Sequence, residues 1–528
     1  MKPLRLFTIF VLVAVISAIA PAQTAISTGK TILVVPFENQ SKAPGIEWIG
    51  ESFPELLQER LNSPTMFVLP RADRLHAYDH VGIPVELHPS RATIYRIAED
   101  MGVDYVVFGR YSFDGRIFSA SSQLLDMHHP RLLPEITESG TLIDLITVQT
   151  SLAWDILHAL RPEFSTGKLA YLSAASPIRL DAFENLVRGV TASTPEDQIR
   201  HFREAARLNP TYWEAVLRLG QAYYRDRQYD QAISWLGRIP LNESHAQEAN
   251  FYLGLAAYFK SDYSRAESAF NFVAGKLPLA EIYNNLGVVA SRRDQKIAVE
   301  YFQKAVNADP NDADYHFNLA VAFYRGGDLA GSSRQIHQTL AEHPTDGEAS
   351  SLLEMTASGF KPGSKAPLER IRTNYSESSF RELAMEIDAI AEQRLSKTDP
   401  RTHARYHVDR GRELLSQGFV TEAEKEFRES IMLDPTNAFA HSGLARVLEA
   451  NNDSAGARVE AQEALRQRQF ADPLLVLARL DSSENKDESA TEDVDQALRL
   501  EPSNGTALAL KRTLAAKLAQ KAQPLPKP

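Results

Sequence analysis

The pattern of hydrophobic and polar positions changes at about residue 160. Before that point, short runs rich in β-branched and aromatic residues, such as TILVVPF at 31–37 and DYVVFGRYSF at 104–113, alternate with amphipathic stretches such as IEWIGESFPELLQERLN at 46–62. After it, apolar residues recur three and four positions apart, which predicts helices. Asp114-Gly115, directly after the second run, predicts a hairpin to the strand that follows. Strands that alternate with helices are typical of an α/β layer domain, which we assign to residues 30–162.

A phrase of the sequence recurs about every 34 residues in the helical part. Gly220, Gly254 and Gly287 are separated by 34 and 33 residues, and each follows a leucine. Prolines recur at a similar spacing, at Pro278, Pro310 and Pro344. A period of this length indicates a helix–turn–helix unit that must stack on its neighbours to bury its apolar face.

These residues resemble tetratricopeptide repeats. One unit shows the pattern of that family in Leu286-Gly287, Ala298, Phe302 and Pro310. About eight such units are recognisable, in a first block at 178–355 and a second block at 403–520 that ends in a capping helix. The resemblance implies a mainly α fold, an α-solenoid, whose concave face holds peptide or helix ligands.

The period is lost between the two blocks, at 356–402. ASGFKPGSKAP at 357–367 predicts a loop, and SSFRELAMEIDAIAEQRL at 378–395 predicts a helix. We interpret this stretch as an irregular or degenerate helical connector. A decayed repeat that still stacks is favoured over a hinge.

Residues 1–22 have the pattern of a secretory signal peptide. Two basic residues precede an apolar run from Leu6 to Ile19, and the small residues Ala20-Pro21-Ala22 follow it. The alternative is an uncleaved membrane anchor, for which the apolar run is rather short. We therefore expect an exported, periplasmic protein with no integral membrane segment once the signal is cleaved, and peripheral attachment to the envelope is the alternative to a free periplasmic protein.

The region before the repeats resembles the small α/β domain of exported envelope proteins. The resemblance is carried by ILVVPFEN at 32–39 and AEDMGVDYVVFGRYSFDGR at 98–116. Similar domains occur at the N-terminus of the Tol-system β-propeller protein and in curli-type secretion proteins. No catalytic residues belong to that resemblance, and the lipidated cysteine of the curli relatives is missing, because the chain has no cysteine.

Charge and motifs exclude several functions. A net charge of −11 argues against a nucleic-acid partner. The sequence has no phosphate-binding glycine loop, no His-Glu-x-x-His and no Gly-x-Ser-x-Gly. His128-His129 precedes a proline and is expected to lie in a solvated turn. We therefore predict no catalytic residues, no metal site and no cofactor.

The best candidates for function are the residues that the resemblance places on the inner face of the first helix of each unit. They are Leu217, Gln221, Tyr224, Phe251, Leu255, Tyr258, Asn284, Val288, Arg292, Phe317, Val321, Tyr324 and Arg325, with Asn285 and Asn318 beside them. Aromatic rings, amides and guanidinium groups together suit a peptide ligand. The alternative for each residue is packing within the repeats.

These observations indicate a non-catalytic scaffold or adaptor of the bacterial cell envelope that binds protein or peptide partners in the groove of the repeats. One alternative is an envelope assembly or secretion factor whose α/β domain makes the specific contact, with the repeats as a spacer. A second alternative is an enzyme with an unrecognised site in the α/β domain.

Overall fold

The computed structural model describes residues 30–84, 89–162, 164, 166–276, 279–359, 366–375, 390–416 and 418–521. The predicted signal peptide and most of the predicted helix at 378–395 lie outside these residues. Within them, no helix combines the length and apolar character needed to cross a membrane.

A mixed sheet forms the centre of the N-terminal region. Its strands are β1 Lys30–Val34, β2 Glu38–Asn39, β3 Met66–Val68, β4 Tyr105–Phe113, β5 Phe118–Asp126, β6 Arg131–Leu132 and β7 Ile136–Gly140. The order β3-β1-β4-β5-β6 is parallel at β3-β1-β4 and antiparallel from β4 onward, with β2 parallel to β4 and β7 antiparallel to β5. The predicted hairpin joins β4 to β5, with Phe113 opposite Phe118.

Helices cover both faces of this sheet. They are α1 Ile49–Leu61, α2 Arg71–Val81, α3 Arg91–Asp100 and α4 Leu145–Leu160. Ile32 and Val34 of β1 pack with α1 and α4, whereas Leu33 on the opposite face packs with α2 and α3. Because successive side chains of a strand point to opposite faces, an unbroken apolar run is what a strand covered on both sides requires.

The helices that follow form eight consecutive pairs within the described residues, numbered here as units 1 to 8. The pairs are Leu180–Thr191 with Pro195–Leu208, Trp213–Arg225 with Tyr229–Leu236, Ala246–Phe259 with Tyr263–Ala274, Ala280–Arg292 with Ala298–Ala308, Ala313–Gly326 with Leu329–Glu342, Pro400–Ser416 with Val420–Leu433, Ala438–Ala450 with Ser454–Gln467, and Ala471–Ser483 with Asp487–Leu500. Single helices lie at Lys168–Ala174, before unit 1, at Gly347–Ala357, after unit 5, and at Gly505–Lys521, after unit 8. The predicted mainly α fold of repeated helix pairs behind a small α/β domain is confirmed.

Small and large side chains match across the helix pairs of units 3, 4 and 5. A Cβ added to Gly254 would lie 2.7 Å from the ring of Phe270, and one added to Gly287 would lie 2.6 Å from the ring of Phe302. In unit 5 the glycine position is taken by Ala320, and Ile336 stands at the position that Phe302 has in unit 4. The absent Cβ therefore makes room for a ring of the facing helix.

Both blocks of repeats contact the α/β region. From unit 6, Glu422 accepts a hydrogen bond from Arg161 at 3.1 Å. From unit 7, the side chain of Asn451 accepts one from Thr166 at 3.0 Å. Units 1 and 2 also pack against the α/β region, because Leu56 of α1 joins their apolar core. The second block therefore returns to the region from which the first block starts.

A buried charged cluster lies between α1 and unit 2. Arg218 donates a hydrogen bond to Glu214 at 2.5 Å, whereas Glu55 of α1 lies 3.9 Å from the same guanidinium group. Burial raises the pKa of Glu55 to about 7. Burial also pushes the pKa of Glu214 upward, but Arg218 outweighs it and leaves that pKa below its usual range. Of these two carboxyl groups, Glu55 is the one that is costly to ionise.

Glu55→Gln is expected to stabilise the chain at about pH 8 and to flatten its pH dependence. Because the pKa of Glu55 is raised on folding, its contribution to stability is complete below its unfolded value of 4.5 and is lost as pH rises toward about 7. That loss amounts to about 3 kcal/mol. The measurement is the midpoint of thermal unfolding of both proteins at about pH 5 and about pH 8.

The matched control for this prediction is Glu214→Gln. Its carboxylate is hydrogen-bonded to Arg218 in the ionised form, so its replacement is expected to lower the unfolding midpoint at the higher pH. A midpoint that changes with pH by the same amount in the wild type and in Glu55→Gln would contradict the assignment.

Candidate functional site

The candidate site is the groove formed by the first helices of units 3, 4 and 5, and a segment of the chain itself lies in it. This connector segment, residues 366–375, forms neither helix nor strand. It runs from unit 5 toward unit 3, because Arg370 contacts Asn318 of unit 5, Arg372 contacts Asn285 of unit 4 and Tyr375 contacts Phe251 of unit 3. The predicted decayed repeat that still stacks therefore does not include residues 366–375. Their main chain forms hydrogen bonds with side chains of the groove and does not form a helix.

Two asparagines hold the main chain of the connector segment. Asn318 accepts a hydrogen bond from the backbone N–H of Arg370 at 2.7 Å and donates one to its carbonyl oxygen at 2.7 Å. Asn285, which lies 33 residues earlier, does the same for Arg372, at 2.8 Å in both directions. Each amide thus pairs with one residue as a neighbouring strand would, and the spacing of two residues fits an extended peptide.

Asn284 strengthens this arrangement. Its side chain donates to the carbonyl oxygen of Arg370 at 2.9 Å and accepts from the amide of Asn318 at 2.7 Å. All three asparagines are fully buried. Buried amides need partners for their donors and acceptors, and here the connector segment supplies them.

Two arginines at equivalent positions of units 4 and 5 bind one carboxylate of the connector segment. Arg292 and Arg325 both form ion pairs with Glu369, which also accepts a hydrogen bond from Ser291. Arg325 donates a further hydrogen bond to the carbonyl oxygen of Pro367 at 3.0 Å. The side chain of Glu369 is fully buried. A buried carboxylate is tolerated where charged donors satisfy it, as they do at this position.

The arginines of the connector segment face an acidic and aromatic wall. Arg370 lies over the ring of Phe317 at 3.8 Å and pairs with Asp314 and Asp346, each at 2.8 Å. Arg372 lies 5.0 Å from the ring centre of Tyr315 and pairs with Asp314 at 3.0 Å. Cation–π contact and ion pairing therefore act on the same two guanidinium groups.

The pKa values follow these contacts. Hydrogen bonds from Arg370 hold the pKa of Asp346 below its usual range. Burial lowers the pKa of Arg292, but Glu369 outweighs burial and leaves it raised. The stabilisation associated with Asp346 is therefore present above the ordinary pKa of an aspartate and is lost only as pH falls through its depressed folded value.

The structure separates the predicted groove residues into two groups. Asn284, Arg292, Phe317, Arg325 and Phe251 contact the connector segment. Tyr258 shares an apolar cluster with Ile371 of that segment.

The remaining predicted residues are mostly buried. Leu217 packs in the apolar core of units 1 and 2. Apolar clusters that include Ile371 or Ala366 of the connector segment contain Leu255, Val288, Val321 and Tyr324. Gln221 donates a hydrogen bond to Glu248, and Tyr224 contacts Tyr229 and Tyr252. The sequence pattern alone did not distinguish these packing positions from the contact positions.

Sequence reasoning missed several residues of the site, above all Glu369, Arg370, Arg372 and Asp346. No periodicity marks Glu369, Arg370 and Arg372, because the connector segment lies outside the repeats, whereas Asp346 lies in the first block. Asn285 and Asn318 offered the one usable signal, since a buried polar residue that recurs at equivalent positions of adjacent units needs a partner. His128 and His129 lie in a turn, and both are largely exposed, as predicted.

Two family models of tetratricopeptide repeats match parts of the helical region. Residues 192–251 match one tetratricopeptide-repeat family model, and residues 291–332 and 408–472 match another. No curated protein matches the chain.

Solved structures that are similar to this chain include MamA (residues 41 to the end) from Desulfovibrio magneticus RS-1, at 20% identity over 32% of this chain and 99% of that one, with a TM-score of 0.31. YrrB, described as a protein with an unusual peptide-binding site, is 15% identical over 45% of this chain and 95% of that one, with a TM-score of 0.27. The C-terminal domain of LpoB from Salmonella enterica is 14% identical over 22% of this chain and 87% of that one, with a TM-score of 0.19. At these values no functional inference passes from those proteins to this chain.

Proposed function

The chain contains tetratricopeptide repeats, modules that generally mediate protein–protein interaction, and we propose that it is a non-catalytic scaffold of the bacterial envelope. Its groove across units 3 to 5 takes extended peptide segments of partner proteins. The observation that carries this proposal is the pair of two-way hydrogen bonds from Asn285 and Asn318 to the main chain of the connector segment.

The chemistry of the groove defines the peptide that it takes. The asparagines form hydrogen bonds with main-chain N–H and C=O groups, which almost every residue carries. These contacts are therefore compatible with many peptide sequences. Selectivity comes from the side chains, with an acidic residue for Arg292 and Arg325, then basic residues two apart for the wall that contains Asp314 and Phe317. An extended partner segment with an acidic–basic–apolar–basic order therefore fits, as in residues 369–372.

The connector segment is the resident occupant of the groove. A partner must replace it. The apparent affinity for the partner is therefore the intrinsic affinity multiplied by the fraction of molecules in which the groove is open. The connector segment thereby acts as an internal competitor that favours partners presented at high local concentration.

The test is the binding of a labelled peptide with the sequence of residues 366–375 to the full-length chain. We expect weak binding to the wild type and at least tenfold tighter binding to a Glu369→Ala, Ile371→Ala variant, because these changes weaken the internal competitor and leave the groove intact. Adding Asn285→Ala to that variant should abolish the gain. Equal binding to all three proteins would place the peptide elsewhere and refute the proposal.

The occupied groove also favours a second function. If the connector segment never leaves, the repeats are a closed spacer and the α/β region makes the specific contact of an envelope assembly factor. Contacts such as Arg161 with Glu422, which hold the second block against the α/β region, support this arrangement. The peptide experiment separates the two functions, since a closed spacer binds no added peptide in the weakened variant.

The proposed location in the cell envelope rests on the N-terminal residues. The apolar run from Leu6 to Ile19 followed by Ala20-Pro21-Ala22, together with the absence of cysteine, supports export by a cleaved signal. The mass of the protein purified from its native cells tests this location, because cleavage after Ala22 leaves a chain that begins at Gln23.

A further inference from the structure

We infer that Glu392, His403 and His407 form a binding site for a divalent transition-metal ion, with zinc as the first candidate. Both histidines are buried, and each of the three residues offers one ligand atom within 4.8 Å of the others. His403 and His407 lie four residues apart on the first helix of unit 6, so they share one face of the helix. The site lies far along the chain from the asparagines of the groove, and its existence does not depend on the proposed function.

The distances suit a small tetrahedral ion. The Nε2 atoms of His403 and His407 are 3.1 Å apart, and Glu392 lies 2.8 Å from the first and 3.8 Å from the second. Zinc–nitrogen bonds of about 2.0–2.1 Å place neighbouring ligand atoms roughly 3.3 Å apart in a tetrahedron. Three protein ligands leave one position for water or for a ligand from another molecule.

The orientation of His407 is fixed by a carboxylate behind it. Its Nδ1 lies 2.6 Å from Glu426, so Nδ1–H donates and the lone pair of Nε2 faces the other two ligands. Ligand histidines in metal sites are commonly held in this way, by a carboxylate or carbonyl on the second nitrogen. The group that would hold the metal-binding tautomer is therefore already in place.

Two other units provide internal comparisons. His316 and His441 stand at the equivalent position, each with an acceptor 19 residues ahead, Gln335 and Glu460, as His407 has Glu426. In both, Nε2 donates to a backbone carbonyl, that of Pro310 and that of Pro435.

In unit 6 this arrangement differs in a way that creates a ligand set. Arg401 stands where the other units have proline, and Nε2 of His407 faces His403 instead of a carbonyl oxygen. The equivalent histidines of the other units explain His407 as a structural residue. They do not explain why a second histidine and a carboxylate both approach its Nε2 atom. A bound cation accounts for that convergence, since both nitrogens and the carboxylate are donors of a kind that zinc accepts.

A bound ion would join Glu392, which lies between the two blocks, to the second block. Glu392 precedes unit 6, whereas His403 and His407 belong to its first helix. The ion would therefore fasten the stretch before unit 6 onto that unit.

The experiment titrates Zn²⁺ into the full-length chain after chelator treatment and dialysis, followed by calorimetry. We expect one equivalent to bind with a dissociation constant in the micromolar range or below, and Mg²⁺ not to compete. His403→Gln and Glu392→Gln should each weaken binding at least 100-fold. Glu426→Gln should weaken it about 10- to 100-fold, as outer partners of ligand histidines do.

The matched control is His441→Gln, which removes the equivalent histidine of unit 7 and should leave zinc affinity unchanged. Zinc should raise the thermal unfolding midpoint of the wild type and of this control, but not that of His403→Gln. Glu392 is half-exposed, so Glu392→Gln keeps the test valid if His403→Gln fails to fold. Absence of saturable zinc binding, or binding that survives both His403→Gln and Glu392→Gln, would overturn the inference.

Discussion

Asn318→Ala is expected to increase the fraction of molecules in which the connector segment has left the groove. The change leaves the backbone N–H of Arg370 without its acceptor, whereas the carbonyl oxygen of Arg370 loses one donor and keeps its hydrogen bond from Asn284. Leaving a buried N–H group unpaired costs about 1–3 kcal/mol. A loss of this size raises the open population by about 5- to 150-fold.

The measurement is amide hydrogen exchange of the connector segment, followed by mass spectrometry of peptides that cover residues 366–375. The amides of Arg370 and Arg372 donate to asparagines in the closed state, so their exchange reports directly on opening. Faster exchange there, with unchanged exchange in units 7 and 8, is the expected result.

Asn250→Ala is the matched control. Asn250 lies on the first helix of unit 3, but its side chain donates to the carbonyl oxygen of Ala246 within the same helix. The substitution therefore removes an asparagine of the same kind of helix without touching the connector segment. If both variants exchange alike, the asparagines of the groove do not hold the segment.

Local patterns predicted much of the architecture. TILVVPF contains β1, DYVVFGRYSF contains β4, and the turn at Asp114-Gly115 joins β4 to β5, because alternation and turn chemistry act over a few residues. The repeat period likewise predicted the helix pairs. By contrast, α2, with the sequence RADRLHAYDHV, was missed, since charged residues dominate it and only Arg74, Ala77 and Tyr78 are buried.

The contents of the groove could not be read in the same way. Asn285 and Arg372 are 87 residues apart, and the hydrogen bonds that join them end on main-chain atoms. A main-chain acceptor leaves no mark in the sequence, so no pattern at 366–375 indicates that the segment docks. The Glu392, His403 and His407 cluster was missed for a related reason, because a spacing of four on a helix indicates a metal site only once a third ligand is seen to approach.

The fit between Gly287 and Phe302 predicts a loss of stability when the glycine gains a side chain. A Cβ at position 287 would lie 2.6 Å from the ring, and Phe302 is fully buried, so the ring cannot move into solvent. Overpacking of this kind costs about 1–3 kcal/mol, and occasionally more. Gly287→Ala is therefore expected to lower the unfolding midpoint, although alanine is intrinsically the better helix former.

Unit 5 shows how the chain itself resolves the same problem, because Ala320 is accompanied by the smaller Ile336. Gly287→Ala combined with Phe302→Leu should thus lose less stability than the sum of the two single changes, with a coupling energy of about 1 kcal/mol or more. Denaturant unfolding of the four proteins of this cycle measures the coupling. Gly326→Ala is the control, since a Cβ there meets nothing within 4 Å and no loss is expected. Additive effects of the two changes would show that the glycine is not kept for the ring, and that the Leu-Gly phrase of the repeats serves some purpose other than close helix packing.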